Sequence, residues 1–189
     1  MAEDQMLRIK KAIVLIGIMG AGKTSVGRKL AKLIDMDFVD VDEEISKAAG
    51  CSIEDIFDKY GEDAFRDVEE RIMARLLSEN PKVLATGGGA VMNPRTQKII
   101  KEQGISVWLS AELDVLVRRT SKREDRPLLK NNDHEAVLKM LLDERSPVYE
   151  KADITVDSSE DGPEATASNI KQALSNLSSL SIRPSINEK

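Results

Sequence analysis

One cysteine and one histidine in 189 residues leave little material for thiol or imidazole chemistry. Cys51 alone rules out a disulfide within the chain and a cysteine-based metal site. It precedes a helix start and has no neighbouring base in sequence, the setting of a silent thiol in a reducing compartment. His134 stands beside the helix start Asn132-Asp133, where a surface position without a catalytic role is expected. A membrane-spanning apolar run is missing: Ala12-Ile13-Val14-Leu15-Ile16 is too short, and the chain opens on the acidic Met1-Ala2-Glu3-Asp4. No membrane partner is expected, and the cytoplasm is the default location. Excess positive charge is absent too. A formal net charge of -5 offers nothing to a polyanion, so nucleic acid is not an expected partner. No internal repeat is visible.

What is present is a chain that is 41% apolar and 32% charged, long enough for one α/β domain and too short for two. Short apolar runs alternate with helical patterns. Strands are expected at 12–16, 38–41, 83–86, 105–109 and 154–156. Helices are expected at 25–34, from Asp42, from Ser52 to Tyr60-Gly61, and over 64–78, 93–103, 110–120, 132–147 and 164–177. Ser110 reads as a helix cap, Gly104 as a helix stop, and Pro147 as a helix end. This alternation predicts an α/β fold with a parallel sheet covered on both faces and ligands at the carboxyl ends of the strands. One domain spans 1–177. The charged stretch at about 119–131 reads as a mobile segment, and the serine-rich tail 178–189 as disordered.

Three glycine- or acid-bearing stretches follow strands. Gly17-Ile18-Met19-Gly20-Ala21-Gly22-Lys23-Thr24 has the G-x-x-x-x-G-K-[ST] pattern in its strand-to-helix context, which makes it a phosphate loop. Backbone N–H groups of Gly20, Ala21 and Gly22, with those of Lys23, Thr24 and Ser25 at the helix start, would cradle the phosphates of ATP. Lys23 would neutralise the β and γ phosphates, and the Thr24 hydroxyl would join a Mg²⁺ shell. Asp40 and Asp42 lie at a strand end, either as a helix cap with a solvated neighbour or as a metal ligand with an acceptor-facing carboxylate. Given the phosphate loop, the second reading is preferred: Asp40 for the metal and Asp42 for orienting a hydroxyl. Gly87-Gly88-Gly89 follows the third strand and suits a backbone lying against a small polar ligand. Arg66 and Arg145 would clamp a carboxylate if they converged, which sequence alone does not establish. Arg118, Arg119, Lys122, Arg123 and Arg126 read either as a solvated face or as a lid closing over ATP.

Taken in order, G-x-x-G-x-G-K-T, F-V-D-V-D, G-E-D-A-F-R, A-T-G-G-G-A-V, R-P-L-L and D-E-R-S-P-V-Y resemble shikimate kinase over about 13–170. The resemblance implies a P-loop fold like that of nucleoside monophosphate kinases, with a five-stranded parallel sheet flanked by helices. It implies a monomer that transfers the ATP γ-phosphate to the 3-hydroxyl of shikimate with Mg²⁺, in aromatic amino-acid precursor synthesis. By motif it implies Lys23 on the phosphates, Thr24 and Asp40 as the magnesium pair, and Asp42 at the acceptor hydroxyl. Arg66 and Arg145 match the carboxylate-binding arginines, with Gly87, Gly88 and Gly89 lining the pocket and Glu69 holding Arg66. Arg126 matches the lid arginine, and Arg119 and Pro163 match the residues flanking adenine. Thr24 replaces the usual Ser, and Ala64 a frequent Gly. Two alternatives remain at this level. One is a gluconate-type kinase of the same architecture, against which the paired arginines and the Asp42 context speak, and the other is a nucleotide-binding scaffold, which needs no acceptor residues.

Overall fold

The computed structural model describes residues 9–121, 133–158 and 162–180. Five strands form one sheet in the order β2-β3-β1-β4-β5, and every pair is parallel. The strands are β1 (Ala12–Ile16), β2 (Phe38–Asp40), β3 (Val83–Ala85), β4 (Gly104–Ser110) and β5 (Ile154–Asp157). All five residues of β1 are buried, as a central strand covered on both faces requires, and this explains its unbroken apolar run. At the edge, β5 alternates buried Ile154 and Val156 with exposed Thr155 and Asp157.

Seven helices are described: α1 (Lys23–Leu33), α2 (Val41–Ala49), α3 (Ile53–Ser78), α4 (Pro94–Gln103), α5 (Leu113–Thr120), α6 (His134–Tyr149) and α7 (Gly162–Leu180). A 3-10 turn, Ala90–Met92, precedes α4. The amphipathic α1 packs on α7, α3 packs on α2 and α4, and α5 packs on α6. The expected α/β class and five-stranded parallel sheet are both found.

Register fixes where chemistry can sit. Leu15 and Asp40 both pair with Ala85, so the carboxyl ends of β1, β2 and β3 lie side by side. The segments that leave them begin at Gly17, Val41 and Thr86, the second directly as α2, and all three start at one sheet edge. Chain order reverses at β1, between β3 and β4, which is where a doubly wound sheet opens a crevice.

Several boundaries differ from the sequence expectation, each for a local reason. Ser110 is the last residue of β4, not a cap; its carbonyl accepts the Ser158 N–H at 2.6 Å, and α5 starts later, after Glu112. Gly104 both ends α4 and begins β4. The two helices expected around Gly61 form one run, 53–78, interrupted by Gly61 itself at φ 82 and ψ 174. Pro147 does not end α6, which continues to Tyr149. An interior proline costs roughly 3 kcal/mol of helix stability, and full burial of Tyr149 one half-turn later offsets it. The last helix reaches Leu180, so the first positions of the expected tail are helical. The rest of that tail, and residues 122–132 of the expected lid, lie outside the described residues. Among the described residues no helix is long and apolar enough to cross a membrane.

Candidate functional site

The loop between β1 and α1 is held by its own lysine. Lys23 Nζ donates to Gly17 O at 2.7 Å and Ile18 O at 2.9 Å. Gly22 is the N-cap of α1 at φ 91, a left-handed conformation that side chains resist, and it offers no side-chain cap. The first-turn N–H groups of α1 are therefore available to an anion, with the helix dipole behind them.

Asp40 divides its two oxygens between both roles weighed from the sequence. One accepts the Asp42 N–H at 3.1 Å and caps α2, and the other accepts the Thr24 hydroxyl at 2.7 Å. The cap fixes the carboxylate's direction, and Thr24 brings a second hard oxygen next to it. Among the described residues, no group of three or more His, Cys, Asp or Glu could hold a metal ion. A cation here would draw most of its shell from phosphate and water. That fits Mg²⁺, which keeps several waters and takes one or two protein oxygens.

The glycine loop after β3 is where the acceptor candidates meet. A Cβ added to Gly87 would lie 3.1 Å from both Asp42 Oδ1 and Glu69 Oε1. One added to Gly88 would lie 3.5 Å from Arg145 Nη1 and 3.4 Å from Met19 N. One added to Gly89 would overlap the Arg66 guanidinium at 2.5 Å. Two guanidiniums and two carboxylates lie against these three consecutive positions, tightly at Gly87, in ordinary contact at Gly88, and at Gly89 only through the movable end of Arg66. Arg66 and Arg145 therefore reach neighbouring positions of one loop.

Their electrostatic surroundings differ. Arg66 donates to Glu69 Oε2 at 2.7 Å and to Glu62 Oε1 at 3.0 Å, so two carboxylates already balance it. Glu69 is only 2% exposed. Burial pushes its carboxyl above the ordinary range and Asp42 adds to the rise, while Arg66 pulls it back through hydrogen bond and charge. Arg145 is 8% exposed, forms no ion pair within 4 Å among the described residues, and leaves Nε without a hydrogen-bond partner. A buried cation in that state is costly until an anion reaches it.

A cleft of about 470 Å³ joins these parts. Its walls include Gly20, Gly22, Lys23, Thr24, Ser25, Asp40, Asp42, Gly87, Gly88, Arg119 and Pro163. Ala21 is buried behind the loop. Arg66, Gly89 and Arg145 do not line that cleft; they adjoin it through Gly87 and Gly88. Arg126 lies outside the described residues. His134 opens α6 as expected, and Cys51 is a free thiol of intermediate burial.

Three residues of the site escaped the sequence reading. Ser158 is 2% exposed; its hydroxyl donates to Ala21 O at 2.6 Å and accepts from Arg119 at 3.2 Å, tying the end of β5 to the phosphate loop. Thr86 is buried and donates to Leu15 O at 3.0 Å, locking β3 to β1 where the loops diverge. Tyr149 donates to Gly88 O at 2.5 Å. No periodicity marks such contacts, since they join residues far apart in the chain.

Tyr149 also gives the fold a pH dependence. Burial pushes its hydroxyl up from 10.0 to about 12, against an opposing pull from Arg145. Between those values the unfolded chain has released this proton and the folded chain has not, so stability falls as pH rises through the window. A gap of about two units corresponds to roughly 2 to 3 kcal/mol. Denaturant unfolding should show wild type losing its advantage over Tyr149→Phe between about pH 9 and about pH 12. A constant difference would mean that Tyr149 is not the titrating group.

Among known proteins, the chain is similar to shikimate kinases. A family model described as shikimate kinase matches residues 19–175. The shikimate kinase of Paramagnetospirillum magneticum is 49% identical over 167 residues, 88% of this chain and 86% of that protein. The shikimate kinase of Mesorhizobium japonicum is 46% identical over 164 residues, 87% of this chain and 81% of that protein. A solved structure of shikimate kinase from Acinetobacter baumannii in complex with shikimate aligns with a TM-score of 0.87 at 36% identity. The alignment covers 94% of this chain and 98% of that one.

Proposed function

Because the chain belongs to the shikimate kinase family and is an ATP-dependent phosphotransferase, we propose that it transfers the ATP γ-phosphoryl group to the 3-hydroxyl of shikimate. The products are shikimate 3-phosphate and ADP, in aromatic amino-acid biosynthesis. The observation that carries the acceptor assignment is Arg145, a buried cation without an ion pair among the described residues, beside the glycine loop that Asp42 also faces. A monocarboxylate alcohol supplies the anion for Arg145 and the hydroxyl for Asp42 in one small molecule. Gluconate is also a monocarboxylate alcohol, so the charge match alone does not separate it from shikimate.

In this reading the backbone N–H groups at the start of α1 and Lys23 hold the ATP phosphates. Arg119 and Pro163 flank the nucleotide's base, and Arg126 reaches the phosphates from the lid. Thr24 and Asp40 would hold one Mg²⁺, which supplies charge neutralisation between the β and γ phosphates. Asp42 orients the acceptor hydroxyl in line with the γ-phosphorus and takes its proton as the new P–O bond forms. Arg66, braced by Glu62 and Glu69, and Arg145 fix the acceptor carboxylate. The enzyme works as a cytoplasmic monomer with no nucleic-acid or membrane partner.

The test is ADP release with Mg-ATP and, in turn, shikimate, quinate, gluconate or no acceptor. Turnover that depends on shikimate is expected, and acceptor-independent or gluconate-selective turnover would overturn the assignment. Asp42→Ala should lose about a hundredfold or more in kcat while ATP affinity stays within about twofold. A variant retaining full kcat would remove Asp42 from proton transfer and positioning.

A further inference from the structure

The acceptor assignment leaves a mechanical question in α6, where Arg145 is followed one turn later by a fully buried tyrosine. Residues four apart share a helix face, so Arg145 and Tyr149 project toward the same neighbour. That neighbour is Gly88. Its carbonyl accepts the Tyr149 hydroxyl at 2.5 Å, and a Cβ on it would lie 3.5 Å from Arg145 Nη1. Tyr149 is 0% exposed and its ring rests on Trp108, with centroids 5.9 Å apart. The hydroxyl is thus held at the end of a rigid, packed lever. Pro147 lies between the two residues and removes one backbone hydrogen bond from this turn, so the helix ladder alone grips Arg145 less firmly here.

We propose that Tyr149 is a positioning residue for the acceptor carboxylate: its hydroxyl fastens the Gly88 carbonyl to α6 and so sets where Arg145 stands relative to the glycine loop. The inference rests on the acceptor reading above and adds to it a residue that touches neither substrate nor nucleotide. Without the hydroxyl, Gly88 and the last turn of α6 are joined only by packing. The guanidinium then samples positions from which it meets the carboxylate poorly. The nucleotide side is spared, because Lys23, Thr24 and Asp40 are held by bonds that do not involve α6.

The experiment compares wild type with Tyr149→Phe in the full chain, which keeps the ring and its contact with Trp108. The expected result is a rise of about tenfold in the shikimate KM, with kcat and the ATP KM within about twofold. In an Arg145→Ala background the same change should add less than about twofold, since the tyrosine acts through the arginine. An unchanged shikimate KM, equal rises in both KM values, or full additivity with Arg145→Ala would each overturn the proposal. Should Tyr149→Phe fail to fold, wild type carrying 3-fluorotyrosine decides the matter. The resonance of buried Tyr149, told apart from that of Tyr60 at 68% exposure, should shift on adding shikimate and not on adding ADP. A resonance that ignores shikimate would overturn the proposal. Absence of shikimate turnover in wild type, by contrast, would refute the acceptor reading itself.

Discussion

Arg145→Ala is expected to raise the shikimate KM by roughly thirtyfold to several thousandfold, the equivalent of about 2 to 5 kcal/mol for a desolvated charge pair. The same substitution should leave the melting temperature of the ligand-free protein unchanged or higher. The reason is the weak compensation at this residue: a guanidinium 8% exposed, with Nε unpartnered, has the Glu69 charge and the Tyr149 hydroxyl nearby but no ion pair within 4 Å among the described residues, so it burdens the fold until an anion reaches it. Thermal shift with and without shikimate checks both halves. Wild type should gain stability from shikimate, and the variant should not. Arg66→Ala should behave differently. It would strand the buried Glu69 carboxylate, so stability should fall together with acceptor affinity. If the two variants lose stability equally, the distinction between a balanced and an unbalanced arginine is wrong.

The second large effect belongs to Lys23→Met. Loss of a positive charge aimed at the transferring phosphoryl group should lower kcat by about a hundred- to thousandfold or more. Lys23 also closes its own loop through Gly17 O and Ile18 O, so the variant gives up two charge-assisted hydrogen bonds. A further cost of about 1 to 3 kcal/mol in stability follows. Steady-state rates and chemical denaturation together separate these roles, and a variant with normal kcat would remove Lys23 from the phosphate site.

How much was legible in the sequence depended on how local the cause was. Burial of β1 on both faces is dictated within a few residues and was readable, whereas the sequence favours a metal role for Asp40 over the cap, although the carboxylate also caps α2. The parallel sheet followed from strands alternating with helices, while its order did not. Ser110 misled because a serine after an apolar run looks like a cap; the edge strand β5 instead extends β4 by pairing Ser110 with Asp157. Pro147 misled because its helix is sustained by Tyr149, whose partner Gly88 belongs to another loop. The meeting of Arg66 and Arg145 was unreadable for the same reason. Nothing near either residue records that Gly88 and Gly89 will come between them.

Gly88 has a consequence for how this enzyme can change. A Cβ built on it would sit 3.4 Å from Met19 N of the nucleotide loop and 3.5 Å from Arg145 Nη1, so about one methyl group fits here. In the proposed acceptor reading, new acceptors are reached by redecorating Asp42, Arg66 and Arg145, whereas a side chain larger than a methyl group at position 88 would press on the phosphate loop and on Arg145.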